Sequence, residues 1–273
     1  MSAGAAPAGH SARLGRLLLA AHGGLLYLFL YSPIAVLAVF SFNASRQTAA
    51  WEGATVDWYR QLGADGLLGR AVGNSLLVAA VATVAATALG TATALGLARA
   101  GSRARRLTWA LLVLPIVIPE VVLGAALLSF FGAIGLRLSL ATVAVAHVVF
   151  SVSYAAIVVA ARLSGLDPAL EEAAADLGAG PAETFRRVTL PLALPGILAA
   201  ALLVFTLSID DYVITSFVAG VGATTLPLHV YSMLKVGVTP EVNAVSTLLL
   251  AGTVTLIAAA QVLLRPRAGS GAR

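Results

Sequence analysis

Three carboxylates stand in stretches that carry almost no other charge. Glu120 is the only charged residue between Arg106 and Arg137, and Asp210-Asp211 close a run that is charge-free after Arg187. In apolar surroundings such groups can neutralise a passing cation, exchange protons, or satisfy backbone groups freed by a helix kink. The last role is a real alternative for Glu120, which follows Pro119. Tyr212 and Tyr231 could offer aromatic faces to an ammonium group, or simply anchor an interface. No two of His10, His22, His147 and His229 have metal-ligand spacing. His147 lies inside an apolar run and reads as hydrogen-bonded within helix packing.

What must position these groups is a membrane domain. Of the 273 residues, 59% are hydrophobic and 11% charged, against about 45–50% and about 25% in soluble chains. The mean hydropathy is +0.95. A soluble fold this apolar would lack the polar surface to cover its core, so the excess must face lipid. Cysteine is absent, which excludes disulfide frameworks, thiolate metal sites and cysteine nucleophiles. The pI is near 10.1, yet the basic residues are arginines scattered between apolar runs. They form no patch for nucleic acid. Lys235, flanked by Leu234 and Val236, is the sole lysine, so a phosphate-binding Gly-Lys-Ser/Thr loop is missing from this chain.

A bilayer core about 30 Å thick needs about 20 apolar residues in a helix. The charge-free intervals predict an all-α fold of six spans, near 20–42, 72–98, 107–131, 139–161, 193–217 and 243–264. Residues 1–19 and 265–273 are left as terminal segments. Arg13 and Arg16 precede the first span as they would in a secretory signal, but its apolar stretch is too long and no cleavage site follows. With the N-terminus inside, 12 of the basic residues fall in inner segments and 5 in outer ones, which predicts both termini in the cytoplasm. Trp51, Trp58 and Tyr59 in the outer 43–70 loop read as interface aromatics. No internal repeat marks an inverted-repeat carrier.

If the spans are straight, Glu120 lies about 20 Å beyond Leu107 and the Asp210-Asp211 pair about 23 Å beyond Pro195 at 1.5 Å per residue. The three acids then share a depth. Asp210 and Asp211 cannot face the same way, since adjacent residues point about 100° apart. Asp211 could instead reach the outer interface. A short helix is expected over 224–238 on the outer side.

The inner 162–192 loop is too patterned for a connector. Asp167-Pro168 reads as an N-cap with proline at the first helical position, and Glu171 and Glu172 suit the first turn and a half. Leu170, Ala173, Ala174 and Leu177 share one face. Gly178 and Gly180 break this helix, and Pro181 and Glu183 open a second, expected to end at Pro191 and Pro195. The loop's small apolar face and balanced charge fit docking on a soluble partner better than lying on lipid headgroups.

Glu172-Ala173-Ala174, three residues, Gly178, nine residues, then Val188-Thr189-Leu190-Pro191 resembles the EAA loop of ATP-binding-cassette importer permeases. Val188 in place of isoleucine is the only departure and keeps β-branching. Asn74-Ser75-Leu76, Leu114-Pro115, Pro119-Glu120 and Gly124 are also similar to such permeases. The segments Ser208–Tyr212, Leu226–Leu228, Tyr231–Met233 and Val238–Ala244 resemble, more narrowly, the C-type subunit of spermidine/putrescine importers. Ser153-Tyr154 stands where that family would carry Pro-Tyr.

The resemblance implies the MetI-like importer permease fold in a bacterial inner membrane. It implies a heteromeric complex: a paralogous permease, two ATPase subunits holding ATP and magnesium, and an external solute-binding protein that delivers a polyamine and docks near 224–238. This chain itself would be no enzyme and hold no cofactor. Glu172, Ala173, Ala174, Gly178, Val188, Leu190 and Pro191 would meet the ATPases, and Asp210, Glu120 and Asp211 would line the substrate pathway. Related permeases share the loop, so an opine, thiamine or iron complex is an alternative cargo. An ion-coupled carrier would give the loop no purpose. A membrane enzyme would need a Gly-x-Ser-x-Gly or His-Glu-x-x-His motif that is missing.

Overall fold

Runs of Leu, Ala and Val in lipid must close their own backbone hydrogen bonds, which makes them helices. The computed structural model describes residues 8–45, 50–237 and 239–264. Among these the helices are α1 (Ala8–Phe40), α2 (Asp57–Ala64), α3 (Gly66–Arg99), α4 (Ser102–Val117), α5 (Glu120–Ala133) and α6 (Leu140–Ser164). They continue with α7 (Ala169–Asp176), α8 (Pro181–Thr184), a π-turn over Phe185–Thr189, α9 (Leu190–Asp210), α10 (Val213–Val218), α11 (Leu226–Val236) and α12 (Pro240–Leu264). The chain forms two compact units, one built on α1, α2 and Leu234–Ala251, the other on Ala64–Met233 and the chain from Gly252 onwards.

In the first unit, α1 exposes its leucines along most of its length. The turn after it is organised by buried Asn43, whose Nδ2 donates to the Ala50 carbonyl at 2.7 Å and whose Oδ1 accepts the Glu52 N–H at 3.0 Å. Trp58 is only 8% exposed and its indole N–H donates to the Asn43 carbonyl at 2.7 Å. Tyr59 hydroxyl pairs with Ser41 Oγ at 2.6 Å. Trp51 alone of the three expected interface aromatics has an exposed ring. Trp58 and Tyr59 instead tie the loop to the end of α1, because their polar atoms find partners there.

The second unit is organised by α3, α6 and α9, which pack on one another, with α4 against α6 and α10 against α5 and α6. Lipid offers no hydrophobic drive between helices, so small residues that allow close packing must supply the contact. Ala86, Ala94, Ala155, Val159, Ala200 and Val204 do so. At Gly90 a Cβ would lie 2.6 Å from Ala155 Cβ and 2.7 Å from Ala156 N, so only glycine fits this crossing. A second cluster joins Val78, Phe131, Val143, Ala146, Phe150, Ile214 and Val218. The α6 helix runs unbroken through Ser153-Tyr154.

Among the described residues four helices are long and apolar enough to cross a membrane: Gly15–Phe40, Gly66–Arg99, Leu140–Ser164 and Pro181–Asp210. Three of them overlap the expected first, second and fourth spans. The sixth expected span falls within α12, where the side chains of 256–257 and 259–264 lie outside the described residues. The tail 265–273 and residues 1–7 lie outside them as well.

Two expected spans are not straight. In place of 107–131 stand α4 and α5, meeting at 104°. Pro119 lacks an N–H and forces Ile118 into an extended conformation, φ −66° and ψ 130°, which ends α4. The rise along a straight helix therefore does not give the depth of Glu120. In place of 193–217 the helix starts at Pro181 and stops at Asp210, with Asp211 extended and α10 beginning after Tyr212. Pro191 and Pro195 do not end the second loop helix. The π-turn lets the Leu190 N–H reach the Phe185 carbonyl, and Pro191 falls in the first turn of α9, where a missing N–H is tolerated.

Candidate functional site

The break between α4 and α5 and the break between α9 and α10 face one space. A cavity of about 310 Å³ is lined by Glu120, Asp210, Asp211, Tyr154 and Tyr212, with Leu123, Phe150 and Leu207 supplying apolar wall. The three acids singled out by sequence are thus brought together, although not by equal rise along straight helices. Pro119 opens α5 so that Glu120 is its first residue. Glu120 and Asp210 are exposed, and their carboxylates have no hydrogen-bond partner among the described residues. Two carboxylates without partners, set among tyrosines and aliphatic side chains, form a concave site suited to a small cation.

Asp211 differs. Its side chain is 6% exposed. One oxygen accepts the Ile214 N–H at 3.3 Å, and the other accepts the Thr215 N–H and the Thr215 hydroxyl, each at 2.8 Å. It caps the N-terminus of α10. His147, also buried, places Nε2 3.2 Å from Asp211 Oδ2 and 2.9 Å from Thr215 Oγ1, while Nδ1 lies 2.7 Å from Ser208 Oγ. Sequence reading placed His147 in helix packing but not its partners. Asp211-x-x-x-Thr215, an acid four residues before a hydroxyl across a helix start, was the signal that could have suggested the cap.

Tyr212 and Tyr231 have ring centroids 4.3 Å apart. The Asn74-Ser75 pair holds the turn after α10: Asn74 Nδ2 donates to the Gly222 and Thr224 carbonyls at 3.1 and 2.9 Å, and the Leu226 N–H donates to Ser75 Oγ at 2.8 Å. The short helix expected over 224–238 is α11.

The loop of the EAA pattern lies at the other end of α6. Asp167 Oδ1 accepts the Ala169 N–H at 3.0 Å and so opens α7. Gly178 turns the chain at φ +87°, a conformation costly for any side chain with a Cβ. Glu172, Ala173 and Gly178 are exposed, Ala174, Val188 and Leu190 half-buried, and Pro191 exposed. Leu177, at the C-terminal end of α7, is 90% exposed. Glu171, itself exposed, accepts the hydroxyl of buried Thr189 with its Oε1 and straps α7 to the π-turn. The Arg162 Nε–H donates to the Leu192 carbonyl at 2.9 Å, tying the end of α6 to α9.

Residues 86–269 match the family model described as binding-protein-dependent transport system inner membrane component. The putrescine transport system permease protein PotI of Escherichia coli (strain K12) is 42% identical over 231 residues, covering 82% of each chain. The spermidine/putrescine transport system permease protein PotC of the same strain is 38% identical over 254 residues, covering 93% of this chain and 96% of the relative. A bacterial ABC transporter involved in the import of the acidic polysaccharide alginate superposes with a TM-score of 0.77 at 16% identity, covering 94% of this chain and 98% of that one. That likeness concerns the fold.

Proposed function

Because the chain belongs to the binding-protein-dependent transport system inner membrane components, we propose that it is one permease half of an ATP-driven importer of polyamines. The observation that carries this reading is the cavity in which Glu120 and Asp210 present carboxylates without protein partners beside Tyr154 and Tyr212. A flexible aliphatic polycation needs separated negative charges and apolar wall between them, and gains further from tyrosine faces. Release matters as much as binding, so a site with two unshielded acids and open access suits passage. Similarity to the putrescine and spermidine/putrescine permeases supports the same cargo. Carboxylates facing the cavity give an anionic cargo no counter-charge.

The rest of the account follows from this architecture. Six spans cross the inner membrane with both termini in the cytoplasm, the arrangement favoured by the arginine distribution. A paralogous permease completes the pathway, and a solute-binding protein meets the outer end near α11. Two ATPase subunits hold ATP and magnesium, since this chain has no nucleotide-binding loop. Their grooves receive α7, which carries Glu172, Ala173 and Ala174, with Gly178 setting the turn, and Val188, Leu190 and Pro191 leading into α9. The Glu171–Thr189 strap carries movement of α7 into α9, the helix that ends at Asp210. The test is uptake of labelled putrescine by cells that co-express the chain with its partner subunits, against cells lacking only this chain. Uptake that depends on the chain supports the reading; equal uptake in both removes it.

A further inference from the structure

The α9 and α10 helices are joined only by Asp211 and Tyr212, yet their relation decides where two cavity residues point. A two-residue break in a membrane helix is free to swivel unless something spans it. His147 does. It enters from α6, and its two ring nitrogens reach opposite sides of the break, Nδ1 to Ser208 on α9 and Nε2 to Thr215 on α10. Nε2 also lies 3.2 Å from Asp211, the residue at the break itself.

The proton positions follow from the partners. The Thr215 hydroxyl donates to Asp211 Oδ2, so its oxygen is left to accept. Nε2 therefore carries a hydrogen, shared between Thr215 Oγ1 and Asp211 Oδ2, while Nδ1 pairs with the Ser208 hydroxyl. Every donor in this set has an acceptor, and the side chains of His147 and Asp211 are 1% and 6% exposed. Such a closed, buried network fixes geometry, because each member is costly to leave unpaired. It also uses up the Asp211 carboxylate, which separates the role of Asp211 from that of its neighbour Asp210.

We infer that His147 is a positioning residue of the transport pathway, bridging the break between α9 and α10 so that Asp210 and Tyr212 face the cavity. The inference rests on the transport reading for its consequence, and on the hydrogen-bond geometry alone for its structural part. The two are tested apart. The chain has no cysteine, so Asp210→Cys provides a single thiol whose rate of reaction with a water-soluble maleimide, in the assembled complex, reports its exposure to the cavity. Adding His147→Leu or Thr215→Val should change that rate by about fivefold or more, the factor that loss of one buried hydrogen bond gives. His147→Gln, which keeps an N–H near the position of Nε2, should stay close to the parent rate. With Asp210 intact, maximal putrescine uptake should fall in His147→Leu and recover in His147→Gln. Unchanged labelling in both disrupted backgrounds would overturn the inference, and Thr215→Val carries the test if His147→Leu does not assemble. Failure of the polyamine reading would show separately, as no uptake by the unaltered complex, and would leave the labelling result to be judged by itself.

Discussion

Asp210→Asn removes one charge from the cavity while keeping the size of the side chain. Asp210 is exposed and has no hydrogen-bond partner among the described residues, so the change orphans no buried group and should cost little stability. Its effect should fall on the passing cation. Two unit charges 4 Å apart attract by about 4 kcal/mol at an effective dielectric of 20. Much of that is offset by lost hydration, and a hydrogen bond to a charged group nets about 1.5–3 kcal/mol. A cavity open to water belongs at the lower end, which is about tenfold at 1.4 kcal/mol per decade. The assay is maximal putrescine uptake into proteoliposomes holding the assembled complex, with the loaded binding protein in excess so that delivery does not limit, and with ATP hydrolysis followed in parallel. Uptake per ATP should fall about tenfold in Asp210→Asn and be largely kept in Asp210→Glu, as the charge-assisted contact survives. Full-rate uptake by the Asn variant would refute the reasoning and assign Asp210 to structure. So would a loss of uptake matched by an equal loss in Asp210→Glu, because shape and not charge would then be the cause.

Other consequences are as direct. Gly178→Val forces a β-branched residue to φ +87°, a strain of about 1–2 kcal/mol; with Glu172→Arg it should leave the chain inserted while ATP hydrolysis no longer drives uptake, checked by measuring both in one preparation. Gly90→Leu meets Ala155 and Ala156 at the α3–α6 crossing and should lower the thermal stability of the purified complex by about 1–3 kcal/mol or more, read as the midpoint of aggregation in detergent. Trp58→Phe loses the bond to the Asn43 carbonyl, about 1 kcal/mol, and should make the loop before α2 more sensitive to added protease without changing insertion.

Much of the fold could be read from charge and apolarity because lipid makes those two properties decisive. The helices α1, α3 and α6 fall where charge-free runs of suitable length lie, and α7 falls where Asp167, Pro168 and Gly178 bound it. Breaks were harder. Pro119 announced one, but the 104° bend depends on Ile118 and on what α5 packs against, which is α10. Pro191 and Pro195 misled in the other direction, since a π-turn upstream accommodates the first and the helix continues past the second. The stop after Asp210 left no proline or glycine to find; it arises from the side chain of Asp211 competing for the N–H groups of Ile214 and Thr215. The acids of the candidate site were legible as charges in apolar runs. Their division of labour was not, because it depends on His147, 64 residues before Asp211 in sequence.

The central claim is that ATP on partner subunits drives a polyamine through a pathway this chain helps to form. Purified complex in proteoliposomes, with labelled putrescine and binding protein on one side, ATP and magnesium on the other, and a proton gradient imposed or abolished, tests it most directly. The account predicts uptake that requires ATP, is indifferent to the gradient, and is competed by spermidine. Uptake driven by the gradient without ATP would contradict it.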